Sequence, residues 1–242
     1  MTFQHLSRIV VPLVTASLLL AACGGAAVAP SATPAPTAVV TTATAAPTAT
    51  AASSATSVTT VTTPTWTISD TSKATVRVRE QLVGVNLPSD AVLVATGATG
   101  TFLLKDDGTF SSDSKITFDL TTLASDQRDR DNFVKMDTLQ TRQFPKAEFV
   151  PTKTSGLTLP MPGSGEFTFK LTGQMTIHGK TKEVTFDVVA TRSGNILNAT
   201  ATAAPTWKFG DFGMSAPSVP FRVVSVVDEI RVVVDLVATA KP

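Results

Sequence analysis

Residues 166–192 read EFTFKLTGQMTIHGKTKEVTFDVVATR. Phe167, Phe169, Leu171, Gly173, Met175 and Ile177 occupy alternate positions. Glu166, Thr168, Lys170, Thr172, Gln174, Thr176 and His178 fill the places between them. Successive side chains of a strand point to opposite faces, so this period of two predicts one apolar and one polar face. After Gly179-Lys180-Thr181-Lys182 the alternation restarts, with Val184, Phe186, Val188 and Ala190 inward and Glu183, Thr185 and Asp187 outward. The stretch predicts a long antiparallel hairpin whose chain turns at His178.

The same signature recurs on both sides of it. KITFDL places Ile116, Phe118 and Leu120 on one face, and EIRVVVDLVATA does so with Ile230, Val232, Val234 and Leu236. TVRVREQL and GTFLL read as further strands, with Asp106-Asp107-Gly108 as a turn, and NILNATATA pairs back after Ser193-Gly194. With WTIS, VLVAT and AEFVPT the total is about eight to ten strands, the pattern of an up-and-down barrel or a sandwich. One segment departs from it. SDQRDRDNFVKMDTLQ offers Ser125 or Asp126 as an N-cap and sets Phe133, Met136 and Leu139 on one helical side, so it predicts the single short helix. On this pattern the fold class is all-β and antiparallel with one short helix, and barrel and sandwich both stay open.

The strands occupy only residues 66–242 of the 242. Residues 1–22 carry one cation, Arg8, then the apolar run IVVPLVTASLLL, then a small-residue zone, as an export signal does. That run is shorter than the roughly 20 apolar residues a membrane-spanning helix needs. Leu20-Ala21-Ala22-Cys23 resembles the lipobox of bacterial lipoproteins. The resemblance implies cleavage before Cys23, a thioether-linked diacylglycerol on its sulfur, usually an acylated N-terminus, and anchorage to a membrane of the cell envelope. The alternative is an ordinary secretory signal that leaves Cys23 a spare thiol. Residues 26–65 contain only Ala, Thr, Pro, Ser and Val, which cannot bury enough apolar area to offset the entropy of ordering. They predict a linker within 23–65 whose span is on the order of 35 Å.

The domain beyond it holds all 19 acidic residues and every Lys or Arg except Arg8, so it is close to neutral. No basic stripe points to nucleic acid. Several motifs fail their own requirements. Asp126, Asp129 and Asp131 lack the glycine and the terminal glutamate of a calcium loop. Ser112-Asp113-Ser114-Lys115 leads into a strand rather than opening a helix, and Asp211-Phe212-Gly213 lacks every other kinase element. His178 is the domain's one histidine, with no motif to nominate a nucleophile and too few partners for zinc. It reads as a hairpin corner, and no catalytic residue, metal or cofactor is expected.

Taken together and in order, WTISDTSKATVRVRE, SDQRDRDNFVKMDTL, QFPKAEF, LTGQMTIHGKTKEVTFDV, FGDFGM and VVDEIRVVVDLVA resemble the YceI family of secreted bacterial proteins. The resemblance covers nearly all of 66–242. It implies an eight-stranded, lipocalin-like barrel, generally non-enzymatic, whose lumen takes a long apolar molecule, typically a polyisoprenoid or related lipid. Two stretches, Leu82 to Ala98 and Ser155 to Gly165, run longer than the family's minimal pattern and suit a barrel mouth.

An eight-stranded barrel can hold one small ligand, and pockets of that kind are mostly apolar. The inward positions name the lumen candidates: Phe102, Ile116, Phe118, Phe167, Phe169, Leu171, Met175, Ile177, Val184, Phe186, Val232 and Val234. Two other readings of the domain stay open. In one the phenylalanines fill a dry core, as in a structural or adhesive surface module on a stalk. In the other the barrel is the pocket of an enzyme with His178 as its base.

Overall fold

The computed structural model describes residues 63–241. The expected signal peptide, Cys23 and the linker up to residue 62 lie outside the described residues. Ten strands follow in chain order: β1 (Thr65–Ile68), β2 (Lys73–Leu82), β3 (Ser89–Ala95), β4 (Thr99–Phe102), β5 (Lys115–Asp119), β6 (Lys146–Ser155), β7 (Ser164–Ile177), β8 (Lys180–Ser193), β9 (Ile196–Ala203) and β10 (Val223–Lys241). They form one antiparallel sheet in the order β1-β4-β5-β6-β7-β8-β9-β10-β2-β3, and β1 also pairs with β10. That last pairing closes β1 and β4 to β10 into an eight-stranded barrel, leaving β2 and β3 outside the ring. The expected barrel is therefore what forms, with two extra strands.

The hairpin read from 166–192 is the β7–β8 pair, in register from Ser164↔Ser193 to Ile177↔Lys180. His178 and Gly179 make its two-residue turn with φ of 51° and 69°. Positive φ at both positions gives the turn the twist that the strands require. On β7 the apolar parity is kept, yet its centre is Gly173. A Cβ there would lie 2.5 Å from the Phe149 ring and 2.5 Å from the Val150 carbonyl oxygen, so the glycine makes room for a phenylalanine of the next strand.

β10 explains why the ring opens at one end. Its residues 238–241 lie along β1, and its residues 223–235 along β2. β3 pairs with β2, and Val94 exchanges backbone hydrogen bonds of 2.8 and 3.0 Å with Ala124. β2, β3 and the first half of β10 thus make a flap beyond the barrel wall. The two long stretches stand at opposite ends of β10. Leu82 pairs with Val223 at its start, whereas the 156–163 loop sits beside the β8–β9 turn, whose Ile196 pairs with Thr239. Much of Leu82–Ala98 is not loop at all but the strand β3.

The helix differs from the expected one. α1 covers Arg128–Phe133, its N-cap is Gln127, and a π-helical turn follows over Val134–Thr138. Ser125 does not cap it. Its N–H and hydroxyl both donate to Asp131 Oδ1, at 2.8 and 2.6 Å, so a carboxylate within the helix ties down the chain before it. The wide turn leaves Leu139 buried and Met136 exposed.

Candidate functional site

The buried apolar residues fall into two clusters. The larger fills the barrel, and its aromatics run in a chain: Phe149–Phe186 (5.4 Å between ring centroids), Phe186–Trp207 (5.9 Å) and Trp207–Phe212 (5.3 Å). The far end is sealed as well. Trp66 stacks on Phe102 at 6.1 Å, the Arg192 guanidinium lies 5.1 Å above the Trp66 ring, and Arg192 donates to the Met161 and Pro162 carbonyls. The smaller cluster joins Ala91 and Leu93 of β3 to Leu120 and Leu123, in and just after the 3₁₀ turn that follows β5, and to Leu139 at the end of the helical segment.

Between the two clusters lies a cavity of about 550 Å³. Its walls are Val76, Val78 and Leu82 of β2, Ala91 and Leu93 of β3, Phe133, Met136 and Leu139 of the helical segment, and Ile230 and Val232 of β10. Trp207, Phe209 and Phe212 make its floor against the filled barrel. This volume falls within the range of small-molecule sites, and a predominantly apolar lining is what such sites present.

One strip of wall is polar. Glu80 occupies an inward position of β2, and its Oε1 accepts from Arg130 Nη2 at 2.6 Å. Arg130 also donates through Nη1 to Asp126 (2.5 Å) and to the Ser125 hydroxyl (3.3 Å). Glu80 and Arg130 are both largely buried, with 8% and 14% of their side chains exposed. A buried charge needs such a partner, since isolation in an apolar surround is very costly. The guanidinium is neutralised inside the wall by its neighbours.

The floor is held by a separate network. Phe209–Phe212 form a 3₁₀ turn, and Asp211 accepts from the Lys208 N–H at 2.9 Å and pairs with Lys182 at 2.5 Å. The hydrogen bond from Lys182, then that from the Lys208 backbone, hold the Asp211 carboxyl below its ordinary value. The ring of His178 meets Phe144 edge-on at 4.9 Å, and its Nδ1 lies 3.3 Å from the Phe212 carbonyl oxygen. A carbonyl can only accept, so Nδ1 carries the proton. His178 thus ties the β7–β8 turn to the cavity floor. Among the described residues no group of three or more His, Cys, Asp or Glu is placed to hold a metal ion.

The structure separates the twelve lumen candidates. Ile177 and Val232 line the cavity. Phe102, Ile116, Phe118, Met175, Val184 and Phe186 are buried in the barrel core, and Phe169, Leu171 and Val234 pack against it half-buried. Phe167 is half-buried near the sealed end. The residues the sequence reading passed over are Leu93, Leu123, Leu139, Phe209, Phe212 and the Glu80–Arg130 pair. For the pair alone a signal was present: Glu80 shares the parity of Val76, Val78 and Leu82, and a charge on an inward face demands a buried partner.

Comparison with known proteins agrees with this architecture. The model of the YceI-like domain matches residues 66–238. A UPF0312 protein of Pseudomonas putida is 36% identical over 132 residues, which is 49% of this chain and 64% of that protein; one of Pseudomonas savastanoi is 33% identical over the same length. The match therefore spans a little under two thirds of these curated relatives. Among solved structures, a polyisoprenoid-binding domain from Saccharophagus degradans, implicated in plant cell wall breakdown, superposes with a TM-score of 0.54 at 9% identity, covering 73% of this chain and 98% of that one. Identity that low speaks for the fold alone. With a family model matched from the first barrel strand to the last, and a closed eight-stranded barrel underneath it, the chain belongs to the YceI-like domain family.

Proposed function

We propose that this protein binds a long apolar lipid of the isoprenoid type in the cavity between barrel and flap. We further propose that, once exported, it is tethered to the cell envelope by a lipidated Cys23. The observation that carries the binding reading is the cavity itself. A protein of this size could pack a continuous core, as the sealed half of the barrel does, yet about 550 Å³ is left open between two apolar walls. A structural module filled throughout would have no such gap. The description of the Saccharophagus domain as polyisoprenoid-binding supports the same ligand class. The polar groups favour binding over catalysis: Arg130 is engaged by Glu80 and Asp126, and His178 braces a turn.

Retinol, a fluorescent isoprenoid, tests the reading. Trp207 lines the cavity while Trp66 is buried in the barrel core against Phe102, so bound retinol quenches chiefly Trp207. Saturable quenching is the expected result. Ala91→Phe, which adds a ring to the cavity wall, is expected to weaken it about tenfold while leaving the fold intact. Quenching that never saturates, or that Ala91→Phe leaves unchanged, counts against the reading.

A further inference from the structure

Two short segments flank the open end of the cavity: the β2–β3 turn and the chain from 214 into β10. Leu82, Val223 and Val226 from these segments line the cavity wall, and Val83 N–H donates to the Arg222 carbonyl at 3.0 Å, joining the two. Residues 81–89 contain no charged side chain, and residues 214–227 contain only Arg222. Yet Val83, Val85, Leu87, Phe221, Val224 and Val227 all stand exposed there, Leu87 at 75% and Phe221 at 94%. Scattered apolar residues on a surface need no explanation, but a contiguous group around a mouth does. Phe221 also has φ of 63°, a left-handed conformation that a bulky residue adopts at a cost. The backbone is strained in a way that leaves the ring in solvent.

We infer that this apolar rim is a membrane-docking tip, inserted in the interfacial region of a bilayer so that lipid enters and leaves the cavity without crossing water. The inference rests on the reading of the cavity as a lipid site. Continuity identifies the partner: the exposed rim and the cavity wall are one apolar surface, and a bilayer is where a cavity of this chemistry finds its ligand. The shape agrees, since Val83, Val85 and Leu87 project from the β2–β3 turn, and Phe221, Val224 and Val227 from the turn before β10 and its first residues. The charge agrees too: the one ionised side chain of the two segments, Arg222, is paired with Asp129 at 2.7 Å, so the rim brings no uncompensated charge of its own to the bilayer.

The test uses the full chain with Cys23→Ser, so that a new cysteine is the only one. Phe221→Cys is labelled with an environment-sensitive fluorophore, and Ile196→Cys, at the opposite end of β10, serves as control. Vesicles of phosphatidylcholine and phosphatidylglycerol are added. The expected result is a blue-shifted, brighter probe at 221 and an unchanged probe at 196. Adding Leu87→Asp, an exposed site outside the cavity wall, raises the lipid concentration needed by about tenfold. Organic extraction of the same preparation separates the two ways of failing. A silent probe at 221 on protein whose extract carries lipid overturns docking alone; an empty extract overturns the cavity reading and the loading route with it. A probe at 221 that brightens with protein concentration in the absence of vesicles overturns the inference in favour of a second copy of the chain.

Discussion

The pair Glu80–Arg130 shows how one residue sets the chemistry of a wall. Each is costly to bury alone and tolerable with the other, so their contributions to stability depend on one another. Arg130→Met leaves a carboxylate uncompensated and is expected to lower stability by about 3 kcal/mol in urea unfolding. Glu80→Leu combined with Arg130→Met is expected to recover most of that loss, because both charges are gone. Equal losses in the single and double variants would show that the pair does not act as one. At the floor, Asp211 has a folded pKa below its ordinary 3.8. Its contribution is then complete above that value and is lost as pH falls through the lower, folded one. Asp211→Asn is expected to cost about 1 kcal/mol at neutral pH. The gap from the native protein should shrink as pH drops below 3.8 and close beneath the folded pKa.

Among the elements, the strands were the most legible part of the sequence, because alternation directly reports which side chains share a face. The β7–β8 register, its turn at His178 and the Ser193-Gly194 turn all follow from that pattern and from two residues that accept positive φ. Gly173 belongs to the apolar parity but acts by absence. Gly173→Ala is expected to destabilise by about 1–3 kcal/mol, since the new methyl meets the Phe149 ring and a backbone oxygen that cannot withdraw. Phe149→Leu in the same chain should return only part of this, which calorimetry can resolve; full return would mean that the Val150 carbonyl is no obstacle. The helix was legible in place and in the side it presents, since Phe133, Met136 and Leu139 all line the cavity, but not in its winding. A period of 3.6 assumes α geometry, whereas the hydrogen bond from Leu139 N–H to the Val134 carbonyl spans five residues.

For the whole molecule, the sequence disclosed the barrel but not its empty part. Parity says that Phe186 points inward, but not that it meets the rings of Phe149 and Trp207 while Leu93 of β3 faces a gap. That depends on how far β2 and β3 peel from the wall, which β10 sets by running along β1 at one end and β2 at the other. The result is a barrel sealed by aromatics on one side and open on the other. A ligand in that opening stabilises the folded state by about 2.7 kcal/mol at a hundredfold excess over its Kd, so a prenyl lipid is expected to raise the melting temperature and a short polar alcohol is not. The most direct test is to purify the protein from a host containing membranes, extract it with organic solvent and identify the extract by mass spectrometry. A long-chain apolar molecule is expected at close to one per protein, reduced by Ala91→Phe. Protein that is repeatedly empty, and that takes up no prenyl lipid when offered it, would rule out a lipid site in this cavity.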